Sequence, residues 1–224
     1  MPTISLSRRL ASVLCLSLVC ALAALALTGC AKPRQAPLPV GNLKLGVAYF
    51  SQPAEPSHML AGYVLENLPH IDERFLAEMD VLLAEVLAEE SKNSFHSRDS
   101  ALHCSKKVAV QDGRSNNQAA LRTWSSIGRC MGVDLLVVPF LFEFRERLGG
   151  PMGALEPARV VMDIFVIDVR SESLISRSRF DETQSALTSN LLEAGKFFRR
   201  GGRWITAHDL AREGMEKAVK ELRL

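Results

Sequence analysis

The sequence carries almost no net charge. Across 224 residues, 27 lysines and arginines stand against 25 aspartates and glutamates. It lacks the basic excess or stripe with which a protein neutralises nucleic-acid phosphates, so nucleic acid is excluded as a natural partner. It also lacks internal repeats and low-complexity tracts, which leaves an ordinary globular domain of normal size for one core.

Motifs that carry chemistry are missing too. There is no strand-to-helix Gly-x-Ser-x-Gly elbow. Gly149-Gly150-Pro151 and Gly201-Gly202 have neither the spacing nor the lysine of a phosphate cradle. Of His58, His70, His96, His103 and His208, only His96 and His103 lie close to a cysteine, Cys104, and their spacing matches no common zinc pattern. Asp181 and Glu182 are neighbouring carboxylates after a strand, but consecutive residues of an extended segment point to opposite sides, so they read as a solvated turn or as acceptors for backbone donors in the following loop. The expectation is a non-enzymatic chain with no catalytic residue, no metal and no cofactor.

What is present begins with an address. Arg8-Arg9, an apolar run from Leu10 to Thr28 and a small-residue exit are the three parts of a secretory signal. The run exceeds the ~7–15 residues usual for a signal core and approaches the ~20 that span a bilayer, so length alone leaves an uncleaved anchor open. Position decides between them. Leu27-Thr28-Gly29-Cys30 resembles the lipobox of bacterial lipoproteins, in which diacylglycerol is attached to the cysteine thiol, cleavage falls before the cysteine, and the new amine is acylated, commonly with palmitate. The resemblance implies cleavage between Gly29 and Cys30 and lipidation of Cys30, whose acyl chains at ~0.8 kcal/mol per CH₂ would hold the chain on a membrane without crossing it. Ala31 stands where enterobacterial lipoproteins resembling the inner-membrane class carry aspartate, which favours the outer membrane, facing the periplasm.

Three segments follow: 1–29 as signal peptide, 30–42 as lipidated cysteine and tether, and 43–224 as one periplasmic domain. The tether, AKPRQAPLPVGN, holds Pro33, Pro37 and Pro39, and at ~3.1 Å per residue an extended proline-rich linker places the domain roughly 35 Å from the lipid. Loss of Arg8 and Arg9 with the leader leaves basic and acidic residues in balance. Of the five cysteines, Cys15 and Cys20 leave as well, and Cys104 and Cys130 remain. They are either a disulfide worth ~3 kcal/mol or two separate buried thiols.

The domain reads as α/β, a single mixed sheet with an antiparallel C-terminal meander packed by amphipathic helices. Leu43–Phe50 is a strand, and 54–70 an irregular loop broken by Pro56, Gly62 and Pro69. From Asp72 to Glu90 a helix carries Phe75, Leu76, Met79, Leu82, Leu83, Val86 and Leu87 on one stripe. Ser91–Ser105 reads as loop and Lys107–Val110 as a candidate short strand. Ser115–Gln118 reads as a capping box, opening a helix with Leu121, Trp124, Ile127 and Met131 on one face. Three strands follow, Asp134–Glu146, Arg159–Val169 and Leu174–Phe180, with a loop at 149–153, and Pro139 inside the first suggests an edge or a bulge. Thr206–Asp209 caps a last helix with Leu210, Ala211, Gly214, Met215, Ala218, Val219 and Leu222 inward, and helices are expected on one face of the sheet.

This order of elements, with LKLGVAYF as first strand and GVDLLVVPF entering the meander, resembles the periplasmic domains of the curli-secretion lipoprotein, of outer-membrane activators of penicillin-binding proteins, and of the amino-terminal domain of the Tol-system translocation protein. Phe180-Asp181-Glu182-Thr183-Gln184 and the stretch Arg200 to Ala207 are similar to strings in lipoproteins of the same general type. The resemblance implies a membrane-tethered component that binds or assembles other envelope proteins, with self-association left open. It does not extend to pore formation, which needs long amphipathic hairpins.

The candidate partner or headgroup surface is Lys196 to Trp204, with Lys196, Arg199, Arg200, Arg203 and Trp204 as its binding residues. It gathers four cations and three aromatics around two glycines. The competing reading puts Phe197, Phe198 and Trp204 in the core, with the arginines facing water. A second function class, a periplasmic enzyme or small-ligand receptor, would use a cleft between the 54–70 and 199–204 loops.

Overall fold

Two long strands dictate the architecture, because each is apolar on both faces and so needs cover on both. β3 (Leu135–Arg145) and β6 (Arg159–Asp168) pair antiparallel at the centre of a five-stranded sheet of order β2-β1-β3-β6-β7. β1 (Leu45–Val47) lies parallel to both β3 and β2 (Phe95–His96), and β7 (Ser173–Thr183) closes the other edge antiparallel to β6. β4 (Leu148–Gly150) and β5 (Gly153–Glu156) form a separate hairpin where a loop was expected. The computed structural model describes residues 43–62, 68–108, 117–184 and 198–224. All lie within one unit, Pro37–Leu224.

Four helices among the described residues cover the sheet: α1 (Glu73–Glu90), α2 (Arg98–Lys107), α3 (Asn117–Met131) and α4 (Ala207–Leu222). They occupy both faces, not the one expected. Met79, Leu82, Leu83 and Val86 of α1 join Leu210, Met215 and Val219 of α4 against Val137, Met162, Ile164 and Phe180. Ala101 and Cys104 of α2 join Trp124, Ile127 and Met131 of α3 against Leu136, Val138, Phe140 and Phe165 on the other face. Full burial of each large side chain contributes about 1.5–3 kcal/mol, so the alternation along β3 and β6 drives both layers together.

The helix ends obey local chemistry. Asp72 caps α1 by accepting from Arg74 N–H, and Thr206 and Asp209 form a reciprocal capping box on α4. The Ser115–Gln118 box expected for α3 begins outside the described residues. α2 replaces the loop expected over Ser91–Ser105. Its apolar signal is thin, two buried residues at i and i+3, and a disulfide supplies the rest. Lys107 ends that helix, and the remainder of the Lys107–Val110 candidate strand is largely outside the described residues.

Pro139 sits in a central strand, not at an edge. Its carbonyl accepts from Ser51 N–H at 3.3 Å, so its polar groups face β1, which has already ended at Val47. The missing N–H falls where pairing with this side lapses, after Ala48 N–H reaches Val137 O and before the Ser51–Phe140 bridge resumes it. The bulge in β3 lies farther on, between Leu141 and Glu143.

The chain leaves β1 for α1 on one face and returns beside it as β2. It then leaves β2 for α2 and α3 on the opposite face and returns on the other side of β1 as β3. The carboxyl ends of β1 and β2 thus form a topological switch point. Open α/β sheets place their binding crevices at such points.

Candidate functional site

Two sites emerge, one from the expected loop and one that sequence reasoning missed. Of the expected surface, Lys196 lies outside the described residues, as do Gly29 and Cys30. Gly201 and Gly202 both hold positive φ, 71° and 68°, a sharp left-handed turn that suits glycine. The turn separates the arginines. Arg199 and Arg203 are exposed, whereas Arg200 turns inward, its side chain only 7% exposed, onto Glu213 at 2.7 Å and Glu182 at 3.5 Å. Burial alone would lower the Arg200 pKa, but the two carboxylates outweigh it and hold it raised. Neither sequence reading describes the loop fully, because Arg200 is structural while Phe198 is exposed.

Trp204 joins this loop to the β4–β5 hairpin. Its N–H donates to Pro151 O at 2.8 Å, and its carbonyl accepts from Arg147. The hairpin exposes Leu148, Met152 (90%) and Leu155 (83%). A basic loop and an apolar hairpin thereby form one surface. Its apolar half could be found in the sequence only by recognising Leu148, Met152 and Leu155 as exposed.

The 54–70 loop goes elsewhere. Met59 and Leu60 are buried in the second core, and Ala54 and His70 line a cavity of about 600 Å³ with α1. Arg199 and Arg200 line cavities with α4 residues instead. Among the described residues, the two loops therefore line different cavities.

The second site lies at the switch point. Asp80, on α1, is buried, with Oδ1 accepting from Phe50 N–H at 2.6 Å and Oδ2 2.9 Å from Arg98 Nε. Burial pushes its carboxyl up to about 6, against the pull of the Phe50 N–H and Arg98. A cavity of about 460 Å³ opens beside the pair, walled by Val47, Leu83, Leu87 and Phe95. The about 600 Å³ cavity shares Asp80 and Arg98 with it. In the sequence, Asp80 looks like one more acid on an acidic helix; only its position one residue after Met79 hinted that it borders the buried stripe.

A third charged group is a strut. Asp163, fully buried on β6, faces Arg177 at 2.7 Å and Arg179 at 3.4 Å on β7. Burial raises its pKa, and Arg177 followed by Arg179 opposes the rise. Asp181 links Arg179 to Arg159, at 3.3 and 3.1 Å, and Arg159 reaches Glu143 at 2.7 Å, so a ladder of alternating charge crosses three strands. Asp181 and Glu182 are thus members of β7, pointing to opposite sides as expected of a strand, and not a solvated turn.

Cys104 and Cys130 are joined, with Cα atoms 5.7 Å apart, tying α2 to α3. The bond removes Cys104 from any metal set with His96 and His103. Among the described residues no three His, Cys, Asp or Glu side chains are grouped to hold a metal, and no helix is long and apolar enough to cross a membrane.

No family model and no curated protein matches the chain. Among solved structures it is similar to the PelC dodecamer from Paraburkholderia phytofirmans, at 14% identity over 84% of this chain and 92% of that one, TM-score 0.44. It is also similar to the LpoB C-terminal domain from Salmonella enterica, at 11% identity over 63% and 83%, TM-score 0.36. Lipoprotein GNA1162 from Neisseria meningitidis matches at 11% identity over 71% and 99%, TM-score 0.38. Likeness at this level carries no argument about activity.

Proposed function

We propose that this chain is a lipoprotein of the bacterial cell envelope, tethered through Cys30 to the outer membrane, that acts as a non-enzymatic binding or assembly component for another envelope protein. The observation that carries this reading is Leu27-Thr28-Gly29-Cys30 at the end of an apolar run, followed directly by a proline-rich tether. The Cys104–Cys130 bond supports it, because such bonds persist outside the reducing cytoplasm.

The binding surface is the hairpin with its neighbouring loop. Arg199, Arg203 and Trp204 contribute, with Leu148, Met152, Leu155 and Phe198 as the apolar contacts. Methionine, aromatics and arginine are the residue types enriched where protein surfaces meet. Arg200 belongs to the scaffold that holds the loop.

Crosslinking in cells, followed by identification of the products, tests the proposal. The variant R199E/R203E/M152S/L155S should keep its melting temperature and lose the crosslinked partner. Recovery of the same partner at the same yield from a folded variant would refute the assignment of this surface. Recovery of lipid alone from the unaltered protein would refute the assembly role.

A further inference from the structure

The crevice at the switch point has a feature that the tethering and assembly role does not use. Arg98 opens α2, and its guanidinium is held on one side by Asp80. Nε lies 2.9 Å from Asp80 Oδ2, yet that buried nitrogen makes no aligned hydrogen bond. Nη1 stands 3.8 Å from Asp99, whose side chain is 83% exposed. Arginine offers five N–H donors in a planar fork, and here Nε faces Asp80 while neither Nη1 nor Nη2 donates a hydrogen bond to any described residue.

The fork is also accessible. The Arg98 side chain is 34% exposed and lines the about 460 Å³ cavity. That volume falls within the roughly 300–1,000 Å³ of small-molecule sites, which combine apolar walls with a few placed polar groups. The walls come from three elements: Val47 at the end of β1, Leu83 and Leu87 on α1, and Phe95 on β2. Ser97, the residue before α2, also lines it and makes no side-chain cap on the helix. The polar lining groups are Asp80 on α1, Asn93 before β2, and His96, Ser97, Arg98 and Asp99 around the start of α2.

Charge selects the ligand. Of the two carboxylates in the lining, Asp80 has both oxygens engaged, by Arg98 and by Phe50 N–H, and Asp99 is 83% exposed at the rim, where solvent screens its pull on an ammonium group. A carboxylate would instead take the unused side of the guanidinium in the bidentate geometry that the fork matches. We propose that the crevice at the carboxyl ends of β1 and β2 binds a small molecule with an apolar body and one carboxylate, which Arg98 receives while Val47, Leu83, Leu87 and Phe95 enclose the body. Asp80 holds the guanidinium in position and weakens the site by competing for it. This assignment stands on the cavity and does not depend on the tethering role.

The test uses the full chain in lipid nanodiscs, with empty nanodiscs as blank, and calorimetric titration with 4-phenylbutanoate, 4-phenylbutanol and 4-phenylbutylamine. The acid should bind saturably, and the alcohol and amine about tenfold or more weaker, as expected when charge-assisted hydrogen bonds are lost. Equal binding of acid and alcohol, or no saturable binding of the acid, overturns the proposal.

Variants locate the site. Asp80→Asn should tighten the acid several-fold, and weaker binding would assign recognition to Asp80. Arg98→Gln alone strands the buried Asp80 charge, so the double variant D80N/R98Q, neutral at both positions, is the cleaner comparison. It should lose the acid by about tenfold or more, and undiminished binding overturns the role of Arg98. Ala84→Trp fills only the about 460 Å³ cavity and Ala77→Trp only its neighbour. The first should abolish binding and the second leave it, and the reverse pattern overturns the seat.

Discussion

The Cys104–Cys130 bond should be a principal stabiliser of the α2–α3 face. The two residues are 26 positions apart, and closing a loop of that length removes unfolded-chain entropy worth about 3.5 kcal/mol at 25 °C. For a domain of this size that corresponds to a fall in Tm of roughly 7–14 °C. Cys104 is buried at 4% exposure whereas Cys130 is exposed, so the clean perturbation is Cys104→Ala with Cys130→Ser, which avoids burying an unpaired hydroxyl. Urea unfolding of oxidised, reduced and double-variant protein should give one high midpoint and two similar lower ones. Reductant should leave the variant unmoved. A loss under about 1 kcal/mol on reduction would contradict the loop-entropy argument, and two freely alkylated thiols in unreduced protein would refute the bond itself.

Other predictions follow from single contacts. Gly214→Ala should destabilise, because its Cβ would lie 2.5 Å from Met162 Cε and 2.7 Å from the Phe180 ring. The overpacking cost of about 1–3 kcal/mol exceeds the helix-propensity gain of about 1, and a raised Tm would refute the close seating of α4 on β6 and β7. Asp80 binds its proton more tightly folded than unfolded, with its pKa raised from 3.8 to about 6. Its contribution of up to about 3 kcal/mol is complete below the unfolded value and lost as pH rises through 6. The stability difference between wild type and Asp80→Asn should therefore change between pH 4 and 7 and flatten outside it; a pH-independent difference would contradict the burial argument. Arg177→Ala should cost about 1.5–3 kcal/mol by removing a charge-assisted hydrogen bond from buried Asp163, which keeps only Arg179 at 3.4 Å, and urea unfolding within 0.5 kcal/mol of wild type, the range of inert surface changes, would show the ladder idle.

What the sequence made legible depended on how many residues repeated each signal. The stripes of α1 and α4 and the double-sided apolarity of β3 and β6 repeat over many positions, and all four elements lie where expected. α2 rests on Ala101 and Cys104 plus a covalent tie to a residue 26 positions away, so no local pattern exposes it. Pro139 misleads because it is tolerated in a central strand at a gap in the pairing with β1, which is a tertiary fact. Phe75 falls on the apolar stripe but is exposed, its ring 5.6 Å from that of Phe144.

The candidate sites divide along the same line. Arginines and glycines at 199–203 are visible as a cluster, but which arginine turns inward is decided by Glu182 and Glu213, distant in sequence from one another. The Asp80–Arg98 crevice has no sequence signature beyond the place of Asp80 next to Met79 on the buried stripe. It arises because the crossover from β2 carries α2 to the face opposite α1, bringing together two charges on separate helices.

The central claim is the lipid anchor, and the mass of the amino-terminal peptide of the membrane-extracted protein tests it most directly. The account predicts a peptide beginning at Cys30 and carrying diacylglycerol and an amide-linked acyl chain, absent from a Cys30→Ser variant. An amino terminus at any other residue, or an unmodified Cys30, would contradict it.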